Sequence, residues 1–152
     1  MQLPSVRLRT DFLSIKAMTI KQQSIVPPPF QAWYDTFHFS PATRVGDTIW
    51  VSGQVGMGAD MKVGDGMQAQ AQIAFECLKD ILEAAGAGLA DVVELMTFHT
   101  DLRGEMEAFA AVKDKYFPSR YPSWTAVGVT QLALPELCIE IRAVAVAGSG
   151  HS

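Results

Sequence analysis

The sequence predicts a single α+β domain, a mixed β-sheet with two helices on one face. Its length of 152 residues suits one domain with a substantial core. Apolar residues recur every three or four positions in two segments, as on the buried side of a helix, and elsewhere concentrate in short β-branched or aromatic runs. No segment repeats at a fixed period, which excludes solenoids and propellers.

The first predicted elements are two neighbouring antiparallel strands. Residues 1–30 show no sustained period and end in consecutive prolines, so we expect a poorly ordered extension ahead of a domain covering residues 31–147. Tyr34–Phe39 alternates aromatic and polar residues and is interpreted as a strand. Gly46 marks a turn before the second strand, Asp47–Ser52. A glycine-rich loop follows.

Two helices and three strands complete the domain. An amphipathic helix runs from Met67 to Ala85 and is ended by Gly86. The other elements are a strand, a helix and two strands: Val92–His99, Glu105–Tyr116, Trp124–Val129 and Leu137–Ala147. The predicted order is β-β-α-β-α-β-β, and residues 148–152 form a loop tail.

Composition excludes several classes of protein. The net charge is −4 with no basic stripe, which argues against a nucleic-acid partner. Charged residues are 18% of the chain, below the roughly 25% of an average domain, so an oligomer interface is expected to cover part of the apolar surface. No apolar run approaches the roughly 20 residues that span a bilayer. The first 17 residues lack the apolar core of a signal peptide, and Met18 is a second candidate start; we expect a cytoplasmic protein without a membrane partner.

The sequence contains few of the general motifs of catalytic or metal-binding sites. Cys77 and Cys138 lie far apart in apolar runs and are interpreted as reduced core thiols. The three histidines, His38, His99 and His151, show no metal-ligand spacing, and His99 is open to a structural or a site role. The glycines after Ser52 lack a phosphate-loop lysine. We expect no metal and no organic cofactor.

Two residues remain as site candidates. Strand alternation places Glu140 and Arg142 on one face and Ile139 and Ile141 on the other. Glu140 is therefore either an exposed partner of Arg142 or a carboxylate facing a cleft, where partial burial would suit it to proton transfer. Trp124 is either a core or interface aromatic or a flat wall of a ligand pocket.

Several segments together resemble the Rid family, also called YjgF/YER057c/UK114. The segment from Val45 to Gln54 resembles the family's "G-(apolar run)-SGQ" hallmark. Further resemblances follow in family order: Gln70, Leu82–Gly86 with Asp91–Val93, Phe98 with Asp101-Leu102, and Cys138–Ile141 with Ala143 and Ala145. The resemblance covers about residues 33–147.

The resemblance implies a fold like that of Bacillus-type chorismate mutase and a homotrimer with small-molecule clefts at the subunit boundaries. The best-known members hydrolyse imines and enamines such as 2-aminoacrylate to a keto acid and ammonia without a cofactor. An arginine clamps the substrate carboxylate, and a carboxylate on the last strand relays a proton or orients water. Here that carboxylate is Glu140.

The chain departs from the family pattern in the pocket. In the frame Pro122-Ser123-Trp124, the indole stands where the family has the clamping arginine. The alternative frame ending at Arg120 leaves four extra residues before the strand and is disfavoured. Phe39 lacks the hydroxyl of the usual tyrosine. The expected ligand-binding positions are Phe39, Gly53, Trp124, Ala126 and Arg120.

Three functions follow as hypotheses. The first is a hydrolytic imine or enamine deaminase whose substrate is less polar than 2-aminoacrylate, because an indole cannot replace a bidentate guanidinium. The second is a non-catalytic trimer that binds a small metabolite. The third, an endoribonuclease or translation inhibitor as in the older family name, is disfavoured by the acidic chain. Arg120 or Arg142 beside Glu140 would restore the anion clamp by another route.

Overall fold

The computed structural model describes residues 20–151. The strands are β1 (Gln22–Ile25), β2 (Ala42–Val45), β3 (Thr48–Val55), β4 (Val92–His99), β5 (Ser123–Gly128) and β6 (Ile139–Val146). The helices are α1 (Gln31–Phe37), α2 (Gly66–Ala84) and α3 (Leu102–Tyr116), with short 3-10 turns at Pro28–Phe30 and Leu89–Asp91. Within this part of the chain, no helix is long and apolar enough to cross a membrane.

The strands form one mixed sheet in the order β1-β2-β3-β6-β4-β5. All neighbours are antiparallel except β4 and β5, which run parallel because α3 crosses over between them. The chain therefore places β6, the last strand, at the centre of the sheet and β5 at its edge. The hairpin between β2 and β3 turns at Gly46, whose φ of 59° favours glycine.

The sheet has two unlike faces. We call the side covered by α2 and α3 the helix face and the opposite side the open face. Along β6, burial alternates residue by residue, with Ile139 and Ile141 fully buried and Glu140 and Arg142 partly exposed. The alternation confirms that Glu140 and Arg142 share a face, and that face is the open one. Fully buried side chains of α2, β4 and α3 fill the core under the helix face: Phe75, Leu78, Ile81, Leu82, Leu95 and Phe109.

The predicted strand Tyr34–Phe39 is wrong, because residues 31–37 form α1. The aromatic residues also match helical spacing: Trp33 packs edge-on against Phe37 one turn later, with ring centroids 6.3 Å apart. Pro28 begins the preceding 3-10 turn, and His38 ends α1 in the left-handed conformation. The true partner of the β3 strand is Ala42–Val45.

The predicted irregular extension is also wrong over residues 22–25. Gln22–Ile25 pairs antiparallel with Ala42–Val45 and adds β1 to the sheet ahead of the predicted boundary at residue 31. β1 is polar and mostly exposed, so it carries no hydrophobic period and is held by backbone pairing. Residues 1–19 of the predicted extension lie outside the described residues.

The other predicted elements are present with ends shifted by a few residues. α2, α3, β4, β5 and β6 match the segments in which the apolar period predicted a helix or a strand. The fold class is confirmed as a mixed α+β domain, with α1 and β1 added to the predicted order.

Candidate functional site

Glu140 lies near the start of β6 on the open face, between Val55 of β3 and Phe98 of β4. Its side chain is half-buried, and burial raises the pKa of its carboxyl above the usual value of 4.5. Within residues 20–151, no basic side chain approaches its carboxylate within 4.0 Å, and the expected alternative of a pair with Arg142 is not formed. Glu140 therefore combines partial burial with a charge that no ion pair neutralises.

Gly53 makes room for this carboxylate. A Cβ atom at position 53 would overlap with the Oε1 and Cδ atoms of Glu140. The hydroxyl of the preceding residue, Ser52, donates to the Ser40 carbonyl at 2.6 Å, which places the segment containing Phe39 beside Gly53. We call Phe39, Gly53 and Glu140 the Glu140 half-site. A cavity of about 390 Å³ lies next to it, lined by Tyr34, Asp35, His38, Phe39 and Ser40.

Trp124 lies on β5 and faces the helix side of the sheet. Its Nε1–H donates to Thr97 Oγ1 at 3.0 Å, and its ring lies 5.9 Å from the ring of Phe109 on α3. Lys113, one turn further along α3, places its Nζ 4.8 Å from the indole centroid. The indole is therefore held by three side chains while 37% of its surface remains exposed.

Thr97 links the indole to His99. The Oγ1 of Thr97 lies 2.8 Å from His99 Nε2, and the His99 ring packs edge-on against Phe109 at 4.8 Å. His99 is fully buried, and burial lowers the pKa of its imidazole, which is therefore neutral at physiological pH. Its Nδ1 has no hydrogen-bond partner among the described residues.

The remaining predicted positions divide between the two faces. Ala126 lies opposite Thr97 and belongs with Trp124; we call Thr97, Phe109, Lys113, Trp124 and Ala126 the Trp124 half-site. Arg120, in the left-handed conformation with φ of 55°, donates from Nη1 to the Gly150 carbonyl at 2.8 Å and is thus held by the C-terminal tail. Arg142 shares the open face with Glu140 two residues along β6.

The structure does not bring all predicted residues together in one chain. Glu140 pairs across the sheet with Phe98 on the open face, whereas Trp124 pairs with Leu95 on the helix face. The two half-sites therefore lie on opposite sides of the sheet. Sequence reasoning missed Lys113 and Thr97; the helical spacing from Phe109 to Lys113 is the signal that could have placed Lys113 beside the core aromatic residues.

Both cysteines are free thiols and half-buried, less buried than core thiols were expected to be. Burial first, and neighbouring carboxylates second, raise the pKa of each thiol to about 11. Both are therefore protonated at neutral pH and poor nucleophiles. Within residues 20–151, no group of three His, Cys, Asp or Glu side chains could hold a metal ion.

The fold and these half-sites define a class of protein: an α+β domain whose sheet carries a half-buried carboxylate on one face and an indole packed against the core on the other. The family described as "Endoribonuclease L-PSP" matches residues 31–147. The RutC family protein YjgH of Escherichia coli is 37% identical over 115 residues, covering 75% of this chain and 88% of that protein. A 2-iminobutanoate/2-iminopropanoate deaminase of Dermatophagoides farinae is 33% identical, covering 71% of this chain and 84% of that protein.

A solved structure of a YjgF/YER057c/UK114 family member from Mycobacterium tuberculosis matches with a TM-score of 0.73 and 28% identity. The match covers 84% of this chain and all of that chain. The chain therefore belongs to the Rid family, also called YjgF/YER057c/UK114.

Proposed function

We propose that this protein is a cofactor-independent hydrolytic deaminase of imines or enamines whose substrate is less polar than 2-aminoacrylate. Its cleft is formed where the Glu140 half-site of one copy meets the Trp124 half-site of another in a homotrimer. Relatives bearing the name 2-iminobutanoate/2-iminopropanoate deaminase support the reaction class. The proposal depends on Glu140 above all.

The raised pKa of Glu140 suits it to general acid and base catalysis, because such a group works best when its pKa lies near the working pH. In its ionised form it accepts a proton from water as the water oxygen attacks the imine carbon. It returns that proton to the nitrogen, which gives the carbinolamine R₂C(OH)NH₂. It then takes the hydroxyl proton of this intermediate and delivers it to the nitrogen as the C–N bond breaks and NH₃ leaves. The sum is R₂C=NH + H₂O → R₂C=O + NH₃, and Glu140 ends as it began.

The separation of the half-sites supports a cleft between copies. A carboxylate on the open face cannot act on a ligand that rests against an indole on the helix face of the same sheet. The open face also carries apolar side chains that a second copy would cover, since Trp50 is 42% exposed and faces Val144 across the sheet. A second copy would place its Trp124 half-site opposite Glu140 and would bury the apolar side chains of the open face.

The Trp124 half-site supports a substrate with more apolar surface than 2-aminoacrylate. Position 124 holds an indole where the resemblance to the family implies a guanidinium, and the alternative clamp residue Arg120 is engaged by the C-terminal tail. A broad aromatic wall stabilises a planar apolar group by contact area.

The test is hydrolysis of imines released in solution by an L-amino-acid oxidase, with semicarbazide capturing the imine that remains. We expect the protein to hydrolyse imines from phenylalanine and leucine faster than the imine from alanine. E140Q should lower the rate at least a hundredfold, since general acid–base catalysis contributes about 10²–10⁴. E83Q, on the exposed side of α2, is the matched control and should keep the wild-type rate. Equal rates for E140Q and wild type would remove Glu140 from the mechanism.

The second candidate is a trimer that binds a small metabolite without chemistry. The observation in its favour is that no arginine joins Glu140 in an ion pair within the part of the chain described here. Tight binding of a ligand that is recovered unchanged, together with no hydrolysis of any of the imines, would favour this candidate.

A further inference from the structure

Lys113 on α3 brings a positive charge to the Trp124 half-site. It lies one turn after the core residue Phe109, and its side chain is only 12% exposed. Its Nζ lies 4.8 Å from the Trp124 ring centroid, over a face that would otherwise attract a cation from outside. A cationic ligand would have to displace this lysine, whereas an anionic ligand would meet an ammonium group already in place.

The ammonium has hydrogen-bonding capacity to spare. It carries three N–H donors, and among residues 20–151 its recorded partner is Asp114 Oδ1 at 2.7 Å. Asp114 is the next residue along the chain and is 68% exposed, so solvent screens the carboxylate end of the pair. A ligand carboxylate can therefore share the ammonium with Asp114 or displace it.

A cavity of about 330 Å³ opens beside Lys113. Its lining combines the charged pair with three aromatic or apolar residues: Lys113, Asp114, Phe117, Pro118 and Tyr121. Tyr121 is 76% exposed, an unusual exposure for a large aromatic side chain in this protein. Rings of this kind present flat contact area at a small entropic cost.

We propose that Lys113 is the anion-binding residue of the Trp124 half-site, and that this half-site takes a carboxylate joined to a planar apolar group. The carboxylate bonds the Lys113 ammonium, and the planar group lies against the aromatic side chains around it. This assignment rests on the proposed function and deepens it. The substrate is less polar than 2-aminoacrylate because its apolar part is larger, yet it keeps its negative charge.

The experiment measures equilibrium binding of phenylglyoxylate and its uncharged amide, phenylglyoxylamide, to the full-length protein by titration calorimetry. The wild type should bind the acid about tenfold more tightly than the amide, the value of one charge-assisted hydrogen bond at a partly exposed site. K113M should lose this preference, whereas K115M, two residues along the same helix, should keep it. D114N removes the competing carboxylate and should strengthen acid binding.

Equal binding of acid and amide by the wild type overturns the assignment, and so does a K113M protein that keeps the preference. A K113M protein would also lose the preference if it misfolded, so D114N supplies a second test in which acid binding is expected to increase. Acid binding by D114N that is no tighter than by the wild type also contradicts the assignment. The outcome is separable from catalysis. A wild type that prefers the acid but hydrolyses no imine supports the anion-binding role of Lys113 and contradicts the deaminase function. A wild type that hydrolyses imines without preferring the acid supports the deaminase function and contradicts the role of Lys113.

Discussion

The two half-sites differ in how firmly their central side chains are held. Trp124 is fixed on several sides, by the Thr97 hydroxyl, the Phe109 ring and the Lys113 ammonium. Glu140 has no ion pair within residues 20–151, and the absence of a Cβ at Gly53 makes its position possible. The indole half-site thus packs against the core through Phe109, whereas the carboxylate half-site lies on the open face of the sheet.

The difference between the half-sites corresponds to two different requirements of a site that binds a ligand and transfers a proton. A wall that positions a ligand benefits from rigidity, and the core aromatic residues supply it. A proton-transfer group must change its charge during the reaction, so a fixed counter-ion would hold it in one state. In the proposed deaminase, the sheet separates these two requirements by placing Trp124 and Glu140 on opposite faces.

The largest expected effect is a loss of stability when the core ring that supports the Trp124 half-site is removed. F109A removes a fully buried ring that contacts Phe75, His99 and Trp124. We expect a loss of about 3–5 kcal/mol in the free energy of unfolding, measured by urea denaturation. F37A removes a ring that is 58% exposed and should cost far less, about 0.5 kcal/mol. Similar losses for both variants would contradict the core role of Phe109.

The next effect tests the hydroxyl that links the indole to the histidine. T97V keeps the shape but leaves Trp124 Nε1 and His99 Nε2 without their common partner. We expect a loss of about 1–3 kcal/mol in the free energy of unfolding and a shift of tryptophan emission. T97S keeps the hydroxyl and should retain the wild-type emission; an identical shift in both variants would show that the methyl group, rather than the hydroxyl, orients the indole.

A change in the Glu140 half-site should affect activity more than stability. G53A introduces a Cβ against the end of the Glu140 side chain, which can swing away. We expect the rate of imine hydrolysis to fall at least tenfold, about 1.4 kcal/mol, with little change in Tm. In G56A the new Cβ meets the buried base of Gln70, so this control should lose about 1–3 kcal/mol of stability. A G53A protein with full activity would show that the Glu140 position is not critical.

The smallest effect is a pH dependence of stability. Because burial raises the folded-state pKa of Glu140, the folded protein binds more protons than the unfolded chain between the ordinary pKa and the raised one. The wild type therefore loses stability as pH rises through that window. E140Q does not titrate there, so its unfolding free energy should exceed the wild-type value above the window and converge with it below pH 4.5. A difference that grows toward acid pH would reverse the assigned sign.

Much of the fold could be predicted because backbone geometry leaves a local mark in the sequence. The helical period predicted α2 and α3, and alternation along β6 placed Glu140 and Arg142 on one face. β1 left no such mark, because an exposed polar strand is held by its neighbour's backbone. The aromatic residues of α1 fit both the helical and the strand period over so short a segment, so periodicity alone does not identify the helix there.

The candidate site divides in the same way. The sequence by itself determined the family, and it predicted the residue types of the pocket with an indole at Trp124 in place of the clamping arginine, since these are properties of the chain order. Only the tertiary structure decided that Trp124 and Glu140 lie on opposite faces, that the tail engages Arg120 and that Lys113 covers the indole. The reason is physical: a local period shows which side of an element is buried, but packing of elements distant in sequence decides which side chains meet there.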